Sequence, residues 1–124
     1  MPRTDHRLLN RWIAKFTEAF RGVALVAKYE SSFRFHLVAS VAVVALAAVL
    51  KCDFVEWCLL LGCIGAVLAA EAFNAALETM FHALDGEAKR RMTGCLDRAA
   101  GAVLLAAIFA AAIGVIVFVR KVWL

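Results

Sequence analysis

Three polar side chains lie on one stripe of an otherwise apolar segment of this sequence. They are Glu71, Asn74 and Glu78, within LGCIGAVLAAEAFNAALETMFHAL. At about 100° per residue they fall at 0°, about −60° and about −20° around a helix, and His82 extends the stripe at about +20°. A carboxylate inside a membrane helix is costly, so such groups usually face a helix bundle or a water-filled site and perform chemistry there. This stripe is where function is expected.

A structural interpretation of the stripe also exists. Glutamates near a membrane surface can simply extend towards the headgroups, and Asn74 can hydrogen-bond a neighbouring helix. The depth of Glu71 favours a functional site instead, because no charged residue separates it from Trp57. An isolated carboxylate that far inside a span needs a compensating role.

The composition indicates an all-α membrane protein with a single domain over residues 1–124. The chain has 124 residues, of which 65% are hydrophobic, and one proline. A soluble domain of this size could not bury so much apolar surface. The four cysteines show no metal-ligand spacing, so the sequence predicts buried free thiols.

Hydrophobic patterning divides the chain into one surface helix and three spans. Apolar residues recur at helical spacing in the N-terminal part, with basic residues between them, which predicts an amphipathic helix on the membrane surface. Three apolar stretches follow, long enough to cross a bilayer if the first begins near Glu30. The predicted ranges are about 7–28 for the surface helix and about 30–51, 54–84 and 98–120 for the spans.

The basic residues predict the orientation. Residues 1–36 carry seven of the fourteen Lys and Arg, and the loop 79–98 carries four, whereas the link between the first two spans has only Lys51. By the positive-inside rule, the N-terminus and the second loop are cytoplasmic and the C-terminus is outside. The net charge of +4 is therefore attributed to membrane orientation and phosphate binding, and nucleic acid is not an expected partner.

Several carboxylates approach the cytoplasmic face at different depths. Glu30 and Glu78 lie near the surface, and Glu71 lies deeper by about two helical turns, or about 10 Å. Carboxylate ligands without His or Cys partners suit a hard cation such as Mg²⁺, which commonly accompanies nucleotide phosphates. This arrangement suggests a metal near water and a base near the lipid headgroups. The sequence has no Walker loop and no GxGxxG, so any nucleotide must be held in another way.

Four blocks of the sequence occur in an order and spacing that point to one family. They are KFTEAFRGVALVAKYESSFRFHL, VEWCLLL, EAFNAALETMFHAL and LDRAAGAVLLAAIFAAAIGVIVF. Together they cover about residues 11–119 and resemble the prokaryotic diacylglycerol kinase / undecaprenol kinase family of small membrane enzymes. The resemblance implies a homotrimer in the bacterial inner membrane, with active sites shared between subunits, that uses Mg²⁺ and ATP to phosphorylate a lipid hydroxyl.

The resemblance also implies roles for individual residues. Glu71 matches the general base, and Glu30 and Glu78 match the magnesium ligands. The positions that match the nucleotide site are Arg11, Glu30, Glu78, Glu87, Lys89 and Asp97. Asn74, Arg34 and Trp57 are expected as partners of the lipid or of the fold.

Two departures from the family pattern leave alternatives open. The family lysine that contacts ATP phosphates is here Leu96, and the aspartate four residues after the second glutamate is His82. Lys89 or a neighbouring arginine can supply the missing charge. The alternative is a non-catalytic or repurposed member that binds lipid or nucleotide, and a small proton or ion conduit is a third reading. The sequence does not choose between diacylglycerol and undecaprenol.

Overall fold

The structure is entirely helical over the residues that it describes. A computed structural model describes residues 3–124, with side chains described from residue 5 onward, and no strand occurs in that range. Its helices are α1 Arg3–Tyr29, α2 Ser31–Val49, α3 Phe54–His82, α4 Gly86–Arg91 and α5 Thr93–Trp123. The predicted all-α class is confirmed. Part of the predicted second loop is helical, because α4 forms there and α5 begins at Thr93, ahead of the predicted start near residue 98.

Three stretches are long and apolar enough to cross a membrane. They are Ser31–Val49, Phe54–His82 and Gly86–Trp123, which includes α4 and α5. The 19 residues of α2 extend about 28 Å, close to the hydrocarbon thickness of a bilayer. At most 22% of any of these stretches is buried within the chain, so their apolar side chains need lipid or other subunits around them. The location of α1 on the membrane surface and the trimer stay predictions.

The helices pack around α3. It lies mainly against α5 and to a lesser extent against α2, and α1 contacts α2 and α3. One cluster of buried apolar side chains consists of Ala47, Leu60 and Val117, one from each of α2, α3 and α5. Trp57 packs against this cluster. The core therefore ties the helices together where α2 ends and α3 begins, which we call the outer end.

The turn from α2 to α3 is closed by its own backbone. Lys51 has a left-handed backbone, with φ of 54°, and its N–H donates to Ala48 O over 3.3 Å, while the Cys52 N–H donates to Ala47 O over 3.0 Å. This pair of bonds is the Schellman motif, which satisfies the last carbonyls of a helix. The contact of Cys52 with the core cluster accompanies it.

α3 begins with a capping box. The Asp53 carboxylate accepts from the Glu56 N–H over 2.9 Å, and the Glu56 carboxylate accepts from the Asp53 N–H over 3.0 Å. The Glu56 N–H holds the pKa of Asp53 below its usual value, because that bond favours the charged carboxylate. Two of the free donors at the helix start are satisfied in this way.

Glu56 also forms the principal ion pair of the outer end. Its Oε1 atom accepts from Lys121 Nζ of α5 over 3.0 Å. Glu56 is buried, with 8% of its surface exposed. A buried carboxylate without a partner is strongly unfavourable, so this contact holds the end of α5 against the start of α3.

Lys121→Met is expected to lower the thermal unfolding midpoint of the detergent-solubilised protein by several degrees, because it leaves the Glu56 carboxylate buried without its cation. Lys51→Met is the matched control, since Lys51 is exposed at the same end and forms no ion pair with any side chain that the structure describes. The measurement is a thermal melt followed by intrinsic fluorescence. Equal midpoints for the two variants would contradict the role given to the pair.

Candidate functional site

The polar stripe lies on one continuous helix, in the half of α3 away from the outer end. Glu71 is buried, with 6% of its surface exposed, whereas Asn74 and Glu78 are half-buried. The rise of a helix separates Glu71 from Glu78 by about 10 Å along the axis. The stripe therefore begins at a buried carboxylate and runs towards the end of the helix.

Glu71 is paired with a histidine from α2. His36 Nε2 lies 3.1 Å from Glu71 Oε1, and 22% of the His36 side chain is exposed. The Ser40 hydroxyl donates to the His36 carbonyl oxygen over 2.6 Å. His36 lies in the ESSFRFHL block, but sequence spacing does not show which residue of one helix faces a given residue of another, so its contact with Glu71 was not predicted.

Asn74 presents an acceptor that nothing satisfies. Its Oδ1 atom is buried and has no hydrogen-bond partner among the side chains and backbone that the structure describes. Buried polar atoms are almost always hydrogen-bonded. An exception indicates local strain or a place where a water, an ion or a ligand binds. The amide lies one turn from Glu71, so the unfilled acceptor belongs to the same site.

Glu30 occupies the elbow between α1 and α2. Its backbone is extended, with φ of −105° and ψ of 111°, and its side chain makes no cap bond to α2. The elbow is fastened by Arg34, whose Nη1 atom donates to Lys28 O over 2.6 Å and to Ala27 O over 3.2 Å. Arg34 thus has a structural contact, and the half-buried Glu30 carboxylate stays available to a ligand.

The basic residues of α4 and its surroundings differ in how they are held. Lys89 is half-buried, and its Nζ atom lies 5.4 Å from the centre of the Phe81 ring at the end of α3. Arg91 instead pairs with Glu87 over 3.4 Å, and both side chains are exposed. Lys89 is therefore the cation of this segment that contacts the helix carrying the stripe.

The structure does not bring every predicted site residue together within one chain. Arg11 and Asp97 are exposed, and neither forms an ion pair with a side chain that the structure describes. Trp57 lies at the outer end, about 21 Å along α3 from Glu71, where it packs against the core. No group of three or more His, Cys, Asp or Glu side chains able to hold a metal occurs in the described range.

The chain is similar to known proteins over most of its length. Residues 17–118 match the family of prokaryotic diacylglycerol kinases, and the chain belongs to that family. It is 31% identical over 122 residues to the undecaprenol kinase of Bacillus subtilis (strain 168), a match that covers 98% of this chain and 99% of that protein. No solved structure matches the chain significantly. The family, together with three long apolar helices, identifies a multi-pass membrane protein.

Proposed function

We propose that this protein is an ATP- and Mg²⁺-dependent lipid kinase that phosphorylates a hydroxyl group at the cytoplasmic face of the bacterial inner membrane. The observation that carries the proposal is the buried Glu71 carboxylate inside an apolar span, with His36 Nε2 3.1 Å from its Oε1 atom. Family membership and the relative from Bacillus subtilis support a lipid kinase over a proton or ion conduit.

Glu71 is proposed as the general base. The lipid hydroxyl oxygen forms a bond to the γ-phosphorus of ATP, the bond from that phosphorus to the bridging oxygen breaks, and ADP leaves with the electron pair. The hydroxyl proton passes to the Glu71 carboxylate. Burial of Glu71 excludes water, which would otherwise compete with the lipid as the acceptor.

Oxygen donors at the elbow and on α3 are of the type that magnesium prefers. Glu30 and Glu78 offer half-buried carboxylates that form no ion pair with any described side chain, and Asn74 Oδ1 is an unsatisfied acceptor. Mg²⁺ prefers oxygen ligands and usually keeps waters and phosphate oxygens, so it does not need three protein carboxylates. Glu30 and Glu78 would hold the metal, which would neutralise the phosphate charge when bound.

The nucleotide is proposed to bind towards the elbow and α4. Glu87, Lys89, Asp97 and Arg11 are the candidates, and a homotrimer with shared sites would allow the exposed ones to contact a nucleotide held by another subunit. Lys89 is the proposed replacement for the family lysine lost at Leu96, because its ammonium lies against Phe81, three residues beyond Glu78. One helical turn separates those two α3 positions.

Undecaprenol is the lipid acceptor that we propose to test first, with diacylglycerol second. The named activity of the Bacillus subtilis relative supports this order, since that match extends over nearly the whole of both chains. A non-catalytic or repurposed member is the second candidate, favoured by a specific residue: the half-buried Leu96 cannot stabilise phosphate charge. Activity assays of variants at Glu71, Lys89 and Leu96 distinguish an active lipid kinase from a non-catalytic or repurposed protein.

Glu71→Gln is expected to reduce lipid phosphorylation at least 100-fold, since removing a general base typically costs about 10²- to 10⁴-fold. The measurement is transfer of radiolabel from [γ-³²P]ATP to undecaprenol or diacylglycerol in mixed micelles. Glu56→Gln is the control, because Glu56 is a second buried glutamate of α3 but lies at the outer end. The Glu56→Gln variant should have a lower thermal unfolding midpoint and an unchanged turnover number. Near-normal turnover in Glu71→Gln would remove that residue from the role of base.

Alanine at Glu30 or Glu78 is expected to raise the Mg²⁺ concentration needed for half-maximal activity, because each variant removes an oxygen ligand. The KM for the lipid should change much less. Magnesium titrations at fixed lipid concentration measure the effect, and Glu18→Ala, an exposed glutamate of α1, is the control. If the magnesium titration curves of the Glu30 and Glu78 variants coincide with that of the wild type, the two carboxylates are structural.

Lys89→Ala is expected to raise the KM for Mg-ATP strongly, because Lys89 supplies charge to the phosphates that Leu96 cannot. Leu96→Lys should raise activity or restore part of the loss in the Lys89→Ala background. Lys51→Ala at the outer end is the control. A fully active Lys89→Ala would move the search to Arg90, Arg91 and Arg98. An inactive wild type that Leu96→Lys activates would favour the repurposed protein.

A further inference from the structure

We propose that His36 is a positioning residue for Glu71, an inference that rests on the proposed lipid kinase function. The two side chains come from different helices, α2 and α3, and meet with Nε2 3.1 Å from Oε1. At this separation the ring nitrogen is within hydrogen-bonding distance of the carboxylate. The neutral ring carries that hydrogen on Nε2 in one of its two tautomers, and the protonated ring always does.

The burial of Glu71 makes this contact necessary. Only 7% of the Glu71 side chain is exposed, and an ionised carboxylate without a hydrogen-bond donor is very unfavourable in such a place. His36 is its only side-chain partner among the residues whose side chains the structure describes. The contact with His36 therefore supplies the polar partner that the buried carboxylate needs.

The contact also fixes the direction of the carboxylate. With Oε1 held by His36, the second oxygen, Oε2, has a defined position and is free to accept the proton of a hydroxyl group. The Ser40 hydroxyl bonds to the His36 carbonyl oxygen over 2.6 Å in the next turn of α2. This bond links His36 and Ser40 along one turn of α2.

His36 also faces an apolar groove between α2, α3 and α5. The groove has a volume of about 600 Å³, and its lining is otherwise almost wholly apolar, with residues such as Val67, Ala111 and Phe118. His36 is its one imidazole and lies at the level of Glu71. His36 therefore both contacts the buried carboxylate and lines this groove.

A purely structural contact predicts different kinetics from a positioning residue. If His36 only joined α2 to α3, its loss would reduce the amount of folded protein and leave the turnover of each folded molecule unchanged. If His36 orients the base, its loss lowers kcat, while the KM for Mg-ATP, which is proposed to bind towards Glu30 and Glu78, stays the same. The side chain of glutamine can place an N–H near the position of Nε2, whereas leucine cannot.

The test compares His36→Leu and His36→Gln with the wild type, each normalised to folded protein by size-exclusion chromatography. His36→Leu is expected to lower kcat about 10- to 100-fold, the range for loss of a hydrogen bond to a charged group, with the KM for Mg-ATP within about twofold. His36→Gln should recover most of the loss. His6→Leu, an exposed histidine of α1, is the control for loss of an imidazole.

A second readout does not depend on activity. Nitrogen-15 NMR of histidine-labelled protein reports the three ring systems of the chain, and His36→Leu assigns the signal of interest. Glu71→Gln should shift the ring nitrogen signals of His36 and leave those of His6 and His82 in place. Unshifted His36 signals would overturn the contact itself.

The outcomes separate this inference from the proposed function. The positioning role alone would be overturned by one combination of results. In it the wild type phosphorylates lipid, Glu71→Gln is inactive, and His36→Leu has an unchanged kcat. A wild type that phosphorylates neither lipid would overturn the proposed function, and the catalytic role of His36 with it. A lowered kcat in His36→Leu that glutamine restores, together with shifted His36 signals, would support both.

Discussion

The cost of placing a carboxylate inside an apolar helix bundle governs this structure. α3 carries two buried glutamates, Glu56 and Glu71, and each needs partners because the surrounding hydrocarbon offers none. Glu56 obtains a cation, Lys121, and a backbone N–H, that of Asp53, both on the same oxygen. Glu71 obtains one imidazole nitrogen. The partners of Glu56 include a full cation, whereas an imidazole is the one side-chain partner of Glu71 among the described residues.

These two arrangements divide the molecule into a closed end and an end that carries the candidate site. At the outer end, polar groups are paired within the chain by the Schellman turn, the capping box and the ion pair. The Ala47, Leu60 and Val117 cluster packs at the same end. Towards the other end the chain leaves groups unmet: the Asn74 Oδ1 atom has no partner in the described residues, and the elbow carboxylate of Glu30 caps nothing. Unmet groups of this kind are tolerated where a ligand or another subunit satisfies them.

Much of this fold follows from patterns that a single sequence contains. The long apolar stretches predict α2, α3 and α5, and helical spacing places Glu71, Asn74 and Glu78 on one face. The capping box was also readable in principle, since an aspartate followed three residues later by a glutamate marks a helix start. These features depend on residues within one or two turns of each other, so local spacing is sufficient to find them.

Contacts between helices could not be predicted from the sequence, because local spacing relates only residues within one or two turns of each other. The Glu56–Lys121 pair joins residues 65 positions apart, and the rotation of each helix about its axis decides whether the two charges meet. The His36–Glu71 contact likewise depends on how α2 lies against α3. The helicity of α4 was missed because a short, charged segment has no apolar periodicity, and its stability comes from neighbours such as Phe81, against which Lys89 lies.

The tight closure of the outer end has a mechanical consequence for the whole bundle. With the turn from α2 to α3 locked by its own backbone and α5 fastened to α3 by the Glu56–Lys121 pair, the helices share a pivot at one end. A small tilt about that pivot produces a displacement that grows with distance along each helix. Opening between α2 and α3 would therefore be greatest towards Ser31 and His82, the helix ends farthest from the pivot. The His36–Glu71 contact lies between the pivot and those ends, where it joins the two helices.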